Sequence, residues 1–163
     1  MRLAVYPGSF DPITNGHLDV LKRSLQVFDE VILLLAINPA KKAAFPLDER
    51  LRLMKEATKD LKGAKVDAYT GLTVDYCHEV GAKHLIRGLR AVSDFEYEFG
   101  LAAANEYVAS DIDMVFFMAR KEENFISSSM INELASSHVD VSSLVPEAVN
   151  EALLKKYGPV EPR

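Results

Sequence analysis

The sequence predicts an α/β fold with a doubly wound, five-stranded parallel sheet, on the strength of three observations. Short apolar segments alternate with segments whose apolar residues recur every three or four positions, the period of a helix. The run from Val31 to Ile37 contains no polar residue, as expected for a strand covered on both faces. Pro and Gly stand between such segments, where loops are expected. Strands that alternate with helices form parallel sheets with right-handed crossovers.

The first half of the chain is predicted to contain three strands and three helices. Thr14 is suited to cap the first helix, because Leu18, Leu21 and Leu25 follow at helical spacing. The third helix is expected to end at Gly81, since glycine readily adopts the left-handed conformation found at helix ends. In order, these elements are strand 3–6, helix 14–28, strand 31–37, helix 47–61, strand 65–69 and helix 74–80.

The second half is predicted to add two strands and three helices. Phe95, Tyr97 and Phe99 fall within the first of these helices, where we expect them to pack against neighbouring elements. Pro146 is expected as the first residue of the last helix, because its fixed φ suits that position. The predicted elements are strand 84–87, helix 94–108, strand 114–118, a helix from Ser127 or Ser128, and the last helix.

Length and composition are typical of one globular domain, 1–163, with a short frayed tail at 158–163. Acidic residues outnumber basic ones, 24 to 19, so a nucleic-acid partner is not expected. Cys77 is the single cysteine, which excludes an intrachain disulfide and a zinc site built on cysteine pairs. We find neither a signal peptide nor the ~20 apolar residues that span a membrane, and therefore expect a cytoplasmic protein with no membrane partner.

Segments of unusual composition directly follow the predicted strands. In doubly wound folds the ligand binds beyond the carboxyl ends of the strands, so these segments are candidates for a shared site. They are residues 7–17, 38–46, 70–73, 87–98 and 119–129.

The first of these segments has the features of a phosphate site. Gly8 and Gly16 allow a close approach of the backbone to a ligand, and the helix N-terminus offers free N–H groups. His17, in the first turn, could donate a hydrogen bond to charge that develops on a phosphoryl group. The alternative is a turn with a surface histidine. The segment matches neither the GxxxxGK[ST] loop nor GxGxxG.

Basic residues follow the second and fourth predicted strands. Lys41 and Lys42 could hold an anion or simply lie in a solvated loop. Arg87 and Arg90, separated by a glycine, are typical of an anion clamp, because arginine binds phosphate through paired hydrogen bonds. Surface salt bridges from these arginines to Asp94, Glu96 or Glu98 are the alternative interpretation.

Three serines, Ser127 to Ser129, begin the helix after the last strand. Their hydroxyls and the free amides of the helix start could bind an anion. The alternative is that one serine caps the helix and the other two have no role.

Residues 6–17, YPGSFDPITNGH, resemble the amino-terminal motif of the bacterial phosphopantetheine adenylyltransferases. Thr14-Asn15-Gly16-His17 is similar to the (H/T)xGH signature of the nucleotidyltransferase superfamily. Residues 85–98 and 123–129 resemble the second and third blocks of the same family, in the same order. The resemblance extends over nearly the whole chain and implies a Rossmann-like nucleotidyltransferase fold.

The resemblance implies an enzyme of coenzyme A biosynthesis. It would transfer the adenylyl group of ATP to 4′-phosphopantetheine, giving dephospho-coenzyme A and pyrophosphate, by direct in-line transfer. The resemblance also implies a homohexamer and the use of Mg²⁺. This ion would be carried mainly by the ATP phosphates, so that no residue of the chain is expected as a metal ligand.

Family roles carry over to matching positions of this chain. The implied catalytic residues are His17, which would stabilise the transition state, Lys41 and Arg90. The implied acceptor-binding residues are Ser9, Lys41, Thr73 and Arg87. The implied ATP-binding residues are Ser9, Phe10, His17, Gly88, Leu89, Arg90, Glu98, Glu123, Asn124, Phe125, Ile126, Ser127, Ser128 and Ser129.

Two other functions remain open from the sequence. One is a transferase of the same superfamily that acts on another acceptor, such as nicotinamide mononucleotide or an alcohol phosphate. The other is a nucleotide-binding module without turnover. The blocks at 87–98 and 127–129 argue against the first, and the presence of every polar residue that the chemistry needs argues against the second.

Overall fold

A computed structural model describes residues 1–120 and 125–163 of the chain. Its strands are β1 (Leu3–Gly8), β2 (Glu30–Ile37), β3 (Ala64–Thr70), β4 (His84–Leu89) and β5 (Asp113–Met118). Its helices are α1 (Asn15–Ser24), α2 (Leu47–Thr58), α3 (Thr73–Val80), α4 (Val92–Val108), α5 (Ser128–Ser136) and α6 (Glu147–Tyr157). The predicted alternation of strands and helices is confirmed.

The five strands form one parallel sheet in the order β3-β2-β1-β4-β5. The chain therefore builds outward from β1 to β3 and then returns to the other side of β1 with β4. Pairing between β1 and β4 is confined to Ala4 with His84 and Val5 with Leu85, although both strands continue for several residues. The two strands thus diverge toward their carboxyl ends, at the point where open α/β sheets bind ligands.

Both faces of the sheet are buried at its centre, as the apolar run 31–37 within β2 predicts. Leu33 and Leu35 pack into the core on one face, whereas Leu34 packs into a separate core on the other. All three side chains are inaccessible to solvent. This confirms the doubly wound arrangement, in which helices cover the two faces of a parallel sheet.

Several predicted boundaries are wrong by a few residues. The strand expected to end at Tyr6 continues to Gly8, which pairs with Leu35, and the strand expected to end at Arg87 continues to Leu89. Backbone pairing with neighbouring strands extends both strands. The residue pattern of one strand alone does not reveal such pairing. Pro146 is the N-cap of α6 rather than its first residue. Thr14 caps α1, and Gly81 ends α3 with φ of 77°, as predicted.

The aromatic residues of α4 do not pack within the chain as predicted. Phe95, Tyr97 and Phe99 are 52%, 69% and 67% exposed. Among the α4 side chains that the structure describes, that of Glu98 is the buried one. Helical spacing of aromatic residues indicates an apolar face but does not reveal what covers it.

Residues 158–163 follow α6, and within them the Glu161 amide donates to the His138 carbonyl at 2.9 Å. Across residues 1–120 and 125–163, no helix is long and apolar enough to cross a membrane.

Candidate active site

A cavity of about 350 Å³ opens where β1 and β4 diverge. Its walls come from the loop after β1, the start of α1, the end of β4, one side of α4 and the start of α5. Predicted site residues that line it are Ser9, Phe10, His17, Arg87, Gly88, Leu89, Arg90, Glu98, Ile126, Ser128 and Ser129.

His17 is held by a reciprocal cap at the start of α1. The Thr14 side chain accepts a hydrogen bond from the His17 amide at 3.2 Å, and the Thr14 amide donates to His17 Nδ1 at 3.0 Å. This is a capping box in which histidine takes the place usually held by Glu or Gln. Because a backbone N–H can only donate, Nδ1 of the neutral ring must accept, and the ring proton resides on Nε2.

The surroundings of His17 keep its ring neutral. Burial and, to a smaller extent, the positive charges of Arg90 and Arg87 together lower its pKa to about 3. The ring lies edge-on to Phe10, with centroids 4.9 Å apart, and near Tyr6 at 6.5 Å. Phe10 itself is buried and has a φ of 41°, a conformation unusual for a non-glycine residue. The site therefore contains a neutral imidazole that can donate through Nε2.

Arg87 is fixed at three points. Its Nη2 and Nε donate to the two carboxylate oxygens of Glu98 at 2.6 and 2.9 Å, and its Nη1 donates to the Pro7 carbonyl at 3.2 Å. Burial opposes the charge on Arg87, but the hydrogen bond and charge of Glu98 outweigh this and raise its pKa. The guanidinium is thus a permanent, oriented cation, and its partner is a buried carboxylate rather than a surface one.

Arg90 contributes a second, more exposed cation. Its backbone amide donates to Asp94 Oδ2 at 3.0 Å, and its Nε lies 3.4 Å from the same oxygen. The contact with Asp94 links the residue after β4 to the first turn of α4. Between the two arginines, a Cβ on Gly88 would lie only 3.2 Å from the Val20 side chain, so glycine lets β4 pass close to α1.

The start of α5 forms the far wall. Ser127 is the N-cap, accepting a hydrogen bond from the Met130 amide at 3.2 Å. Ser128 donates its hydroxyl to the Pro12 carbonyl at 2.8 Å, which joins α5 to the loop after β1. Because Ser128 and Ser129 line the cavity, the N-terminal end of α5 and its partial positive charge lie at its wall.

The comparisons with known proteins agree with this geometry. The cytidylyltransferase-like family profile matches residues 5–134. Phosphopantetheine adenylyltransferase from Roseiflexus sp. (strain RS-1) is 52% identical over 158 residues, which cover 97% of this chain and 99% of the relative. The relative of the same name from Desulfitobacterium hafniense (strain Y51) is 48% identical over 98% of both chains. This chain belongs to the phosphopantetheine adenylyltransferase family. The family predicted from the three sequence blocks is confirmed.

A solved structure supports the fold of this family member. A crystal structure from Vibrio parahaemolyticus, assigned as a nicotinate-nucleotide adenylyltransferase, matches with a TM-score of 0.73 and 21% identity. The match covers 94% of this chain and 99% of that one. At this identity the likeness concerns the fold, and it confirms the predicted nucleotidyltransferase architecture.

Some predicted site residues of this family member lie away from the cavity. Lys41 is exposed in the loop after β2, and Thr73 is the first residue of α3; neither lines the cavity. Phe125, about half exposed, and the capping Ser127 lie beside its wall rather than in it. Glu123 and Asn124 lie outside the described residues.

The structure adds residues that the motif analysis did not single out as part of the site. Thr14, predicted only as a cap, also fixes the tautomer of His17. A hydrogen-bonding residue three positions after an N-cap is a capping-box signal that could have revealed this. Tyr6, Asp94 and Tyr97 also line the cavity. No signal in the sequence separates Tyr97 from its aromatic neighbours on α4.

Carboxylates of the cavity are not arranged as metal ligands. Asp94 and Glu98 are each engaged by an arginine. Among residues 1–120 and 125–163, no group of three His, Cys, Asp or Glu side chains could hold a metal ion. The donor set in the cavity consists of cations, hydroxyls and amides, which suits a phosphate-rich ligand rather than a resident cation.

Proposed function

We propose that this chain transfers the adenylyl group of ATP to 4′-phosphopantetheine, giving dephospho-coenzyme A and pyrophosphate. The observation that carries the proposal is the identity of about 50%, over nearly the full length, with phosphopantetheine adenylyltransferases. The cavity supports it, because a neutral N–H donor, two arginines and a helix N-terminus converge at the end of the sheet where such a reaction would occur.

The reaction is a displacement at the α-phosphorus of ATP. A phosphate oxygen of the acceptor forms a bond to this phosphorus, while the bond to the oxygen that bridges the α- and β-phosphates breaks and pyrophosphate leaves. The attacking phosphate has a second pKa of about 6 and is already ionised at neutral pH, so the step needs no general base. Catalysis can therefore rest on positioning and charge stabilisation.

His17 acts on the transferring group itself. Its Nε2–H donates to a non-bridging oxygen of the α-phosphate as negative charge accumulates there. A neutral ring suits this role, because it donates a hydrogen bond without having to release a proton. Its two supports, the Thr14 amide and the Phe10 ring, keep the ring in one orientation before the substrates bind.

The acceptor and ATP are assigned to two groups of residues that share Ser9. Arg87 and Lys41, with Ser9 and Thr73, bind phosphopantetheine, and the two cations neutralise its phosphate. Lys41 must approach the cavity from its exposed loop to do so. The proposed ATP-binding residues are Ser9, Phe10, His17, Gly88, Leu89, Arg90 and residues 123–129. The family resemblance also places Glu98 in the ATP site, but in this structure its carboxylate holds Arg87. Mg²⁺ belongs to the substrate, because it enters with the ATP phosphates.

The working form of the enzyme is a homohexamer in the cytoplasm, without a nucleic-acid or membrane partner. The exposed aromatic side chains of α4 support self-association, since a large apolar patch on a helix usually marks an interface. The net charge of −5 supports the absence of a nucleic-acid partner.

A substrate panel tests the proposed reaction. The purified protein is incubated with ATP, Mg²⁺ and one phosphorylated acceptor at a time, and pyrophosphate release is followed. We expect turnover with 4′-phosphopantetheine and none with nicotinamide mononucleotide. Turnover with nicotinamide mononucleotide alone would contradict the acceptor assignment, and ATP binding without turnover of any acceptor would identify a nucleotide-binding module.

A further inference from the structure

The Asp11 carboxylate joins the loop after β1 to the loop after β2. The Ala44 amide donates to Oδ2 at 2.7 Å, and the Phe45 amide donates to Oδ1 at 2.8 Å. Both oxygens of one carboxylate are thus engaged by consecutive backbone amides, in short, charge-assisted hydrogen bonds. Asp11 does not line the cavity, and both oxygens of its carboxylate are already engaged by the backbone.

The two amides belong to the lysine loop, which we define as residues 38–46. Lys41 lies three residues before Ala44 on this loop and is exposed to solvent. One end of the loop is fixed because it continues from β2, which ends at Ile37. The other end is fixed by Asp11 and by the buried ring of Phe45, which is 2% exposed. The path available to Lys41 is therefore set by these two anchors.

The backbone of Asp11 is itself held by a side chain of α5. Asn132 on α5 donates its side-chain amide to the Asp11 carbonyl at 2.9 Å and to the Ser128 carbonyl at 3.0 Å. The Tyr157 hydroxyl donates to Asn132 Oδ1 at 2.9 Å, which orients that amide. The lysine loop and α5 are therefore both hydrogen-bonded to the same residue, Asp11.

We propose that Asp11 is a positioning residue that holds the lysine loop in a fixed place beside the cavity, so that Lys41 can reach the phosphate of the acceptor. The inference rests on the proposed function, because it concerns the acceptor of that reaction. It assigns Asp11 an effect on acceptor binding and rate through Lys41, and no effect on the affinity for ATP.

A double-mutant cycle between Asp11 and Lys41 tests the proposal. Asp11→Asn keeps the size of the side chain but replaces one acceptor oxygen with an N–H donor that faces a backbone amide. We expect kcat/KM for 4′-phosphopantetheine to fall about tenfold, which corresponds to about 1.4 kcal/mol. The Kd for ATP, measured by calorimetry, should stay within about twofold. In a Lys41→Ala background, Asp11→Asn should have no further effect.

Asp140→Asn is the matched control, because Asp140 also accepts a backbone amide, that of Ser142 at 2.9 Å, in a loop outside the cavity. It should leave kcat/KM unchanged. Additive effects of Asp11→Asn and Lys41→Ala, a parallel loss of ATP affinity, or an unchanged kcat/KM in either single variant would overturn the proposal. A wild-type chain that does not use 4′-phosphopantetheine would instead overturn the proposed function.

A second variant reaches the same contact from the other side and serves if Asp11→Asn does not fold. Ala44→Pro removes the N–H that donates to Oδ2 and leaves Asp11 unchanged. We expect the same loss of kcat/KM and the same absence of a further effect in the Lys41→Ala background. An Ala44→Pro variant with wild-type kcat/KM would overturn the proposal.

Discussion

His17 shows how the capping of a helix can orient a side chain of the candidate site. The Thr14 amide would be an unsatisfied donor at the start of α1, and the histidine ring satisfies it. The same bond leaves the proton on Nε2. A local requirement of helix structure therefore also selects the tautomer that can donate to a phosphate.

Replacing His17 should slow the chemical step. His17→Ala removes a donor that acts on charge developing in the transition state, so we expect kcat to fall about 10²–10³-fold. ATP affinity should persist, because the arginines and the start of α5 remain. Steady-state pyrophosphate release and calorimetry with ATP measure the two quantities. His78→Ala, which removes an exposed histidine outside the cavity, serves as the control. A kcat near that of wild type would remove His17 from the mechanism.

The low pKa of His17 also predicts a dependence of stability on pH. Burial and the nearby charges of Arg90 and Arg87 lower the pKa from 6.5 to about 3 in the folded chain, so between these values the unfolded chain binds the additional proton. The free energy of unfolding should then decrease as pH falls through this window. His17→Asn removes this contribution, and its stability should decrease less between pH 7 and pH 4. Urea denaturation at both pH values measures the difference. An equal decrease in both proteins would contradict the low pKa.

At the scale of elements, α4 and β4 are joined by a buried ion pair. Glu98 on α4 holds Arg87 on β4 through both carboxylate oxygens, and the Glu98 side chain is 6% exposed. The family resemblance places Glu98 in the ATP site and Arg87 in the acceptor site. In this structure the carboxylate bonds to the arginine, so we expect Glu98 to influence acceptor binding through Arg87.

The Glu98→Gln variant separates the two roles. Loss of the negative charge leaves the Arg87 guanidinium partly buried without its counter-ion, at a cost of up to about 3 kcal/mol in stability. The acceptor KM should rise, while the Kd for ATP should change little. Glu96→Gln, on the same helix but exposed, is the matched control. A weaker affinity for ATP with an unchanged acceptor KM would instead assign Glu98 to ATP directly.

The elements also show which features a sequence can predict. Apolar runs located the five strands, and helical spacing located the helices between them. The motif of residues 6–17 located His17. Each of these signals is local in the sequence. The pairing of Gly8 with Leu35 extends β1 beyond its apolar run, and only the assembled sheet shows this. Likewise, the contact of Asp11 with Ala44 joins residues more than thirty positions apart. No local pattern encodes such a contact.

On the scale of the whole molecule, α4 carries exposed aromatic side chains. Phe95 and Phe99 lie side by side on it, with ring centroids 6.1 Å apart, and Tyr107 is 93% exposed. Glu98 lies on the same helix and holds Arg87, the arginine proposed to bind the acceptor. A partner that covers α4 would therefore also restrict the Glu98 side chain. Assembly and acceptor binding are therefore expected to be coupled.

Disruption of the α4 face tests the proposed assembly. Light scattering should give a wild-type mass of six times the 18.1 kDa chain. Phe99→Asp places a charge in the apolar patch, and burying it unpaired in an interface is costly, so we expect smaller species. Val27→Asp, at an exposed apolar position outside α4, should leave the mass unchanged and is the control. Wild-type mass in Phe99→Asp would show that this face is not the interface. If the variant dissociates, its acceptor KM should rise, because α4 then loses the contact that steadies Glu98 and Arg87.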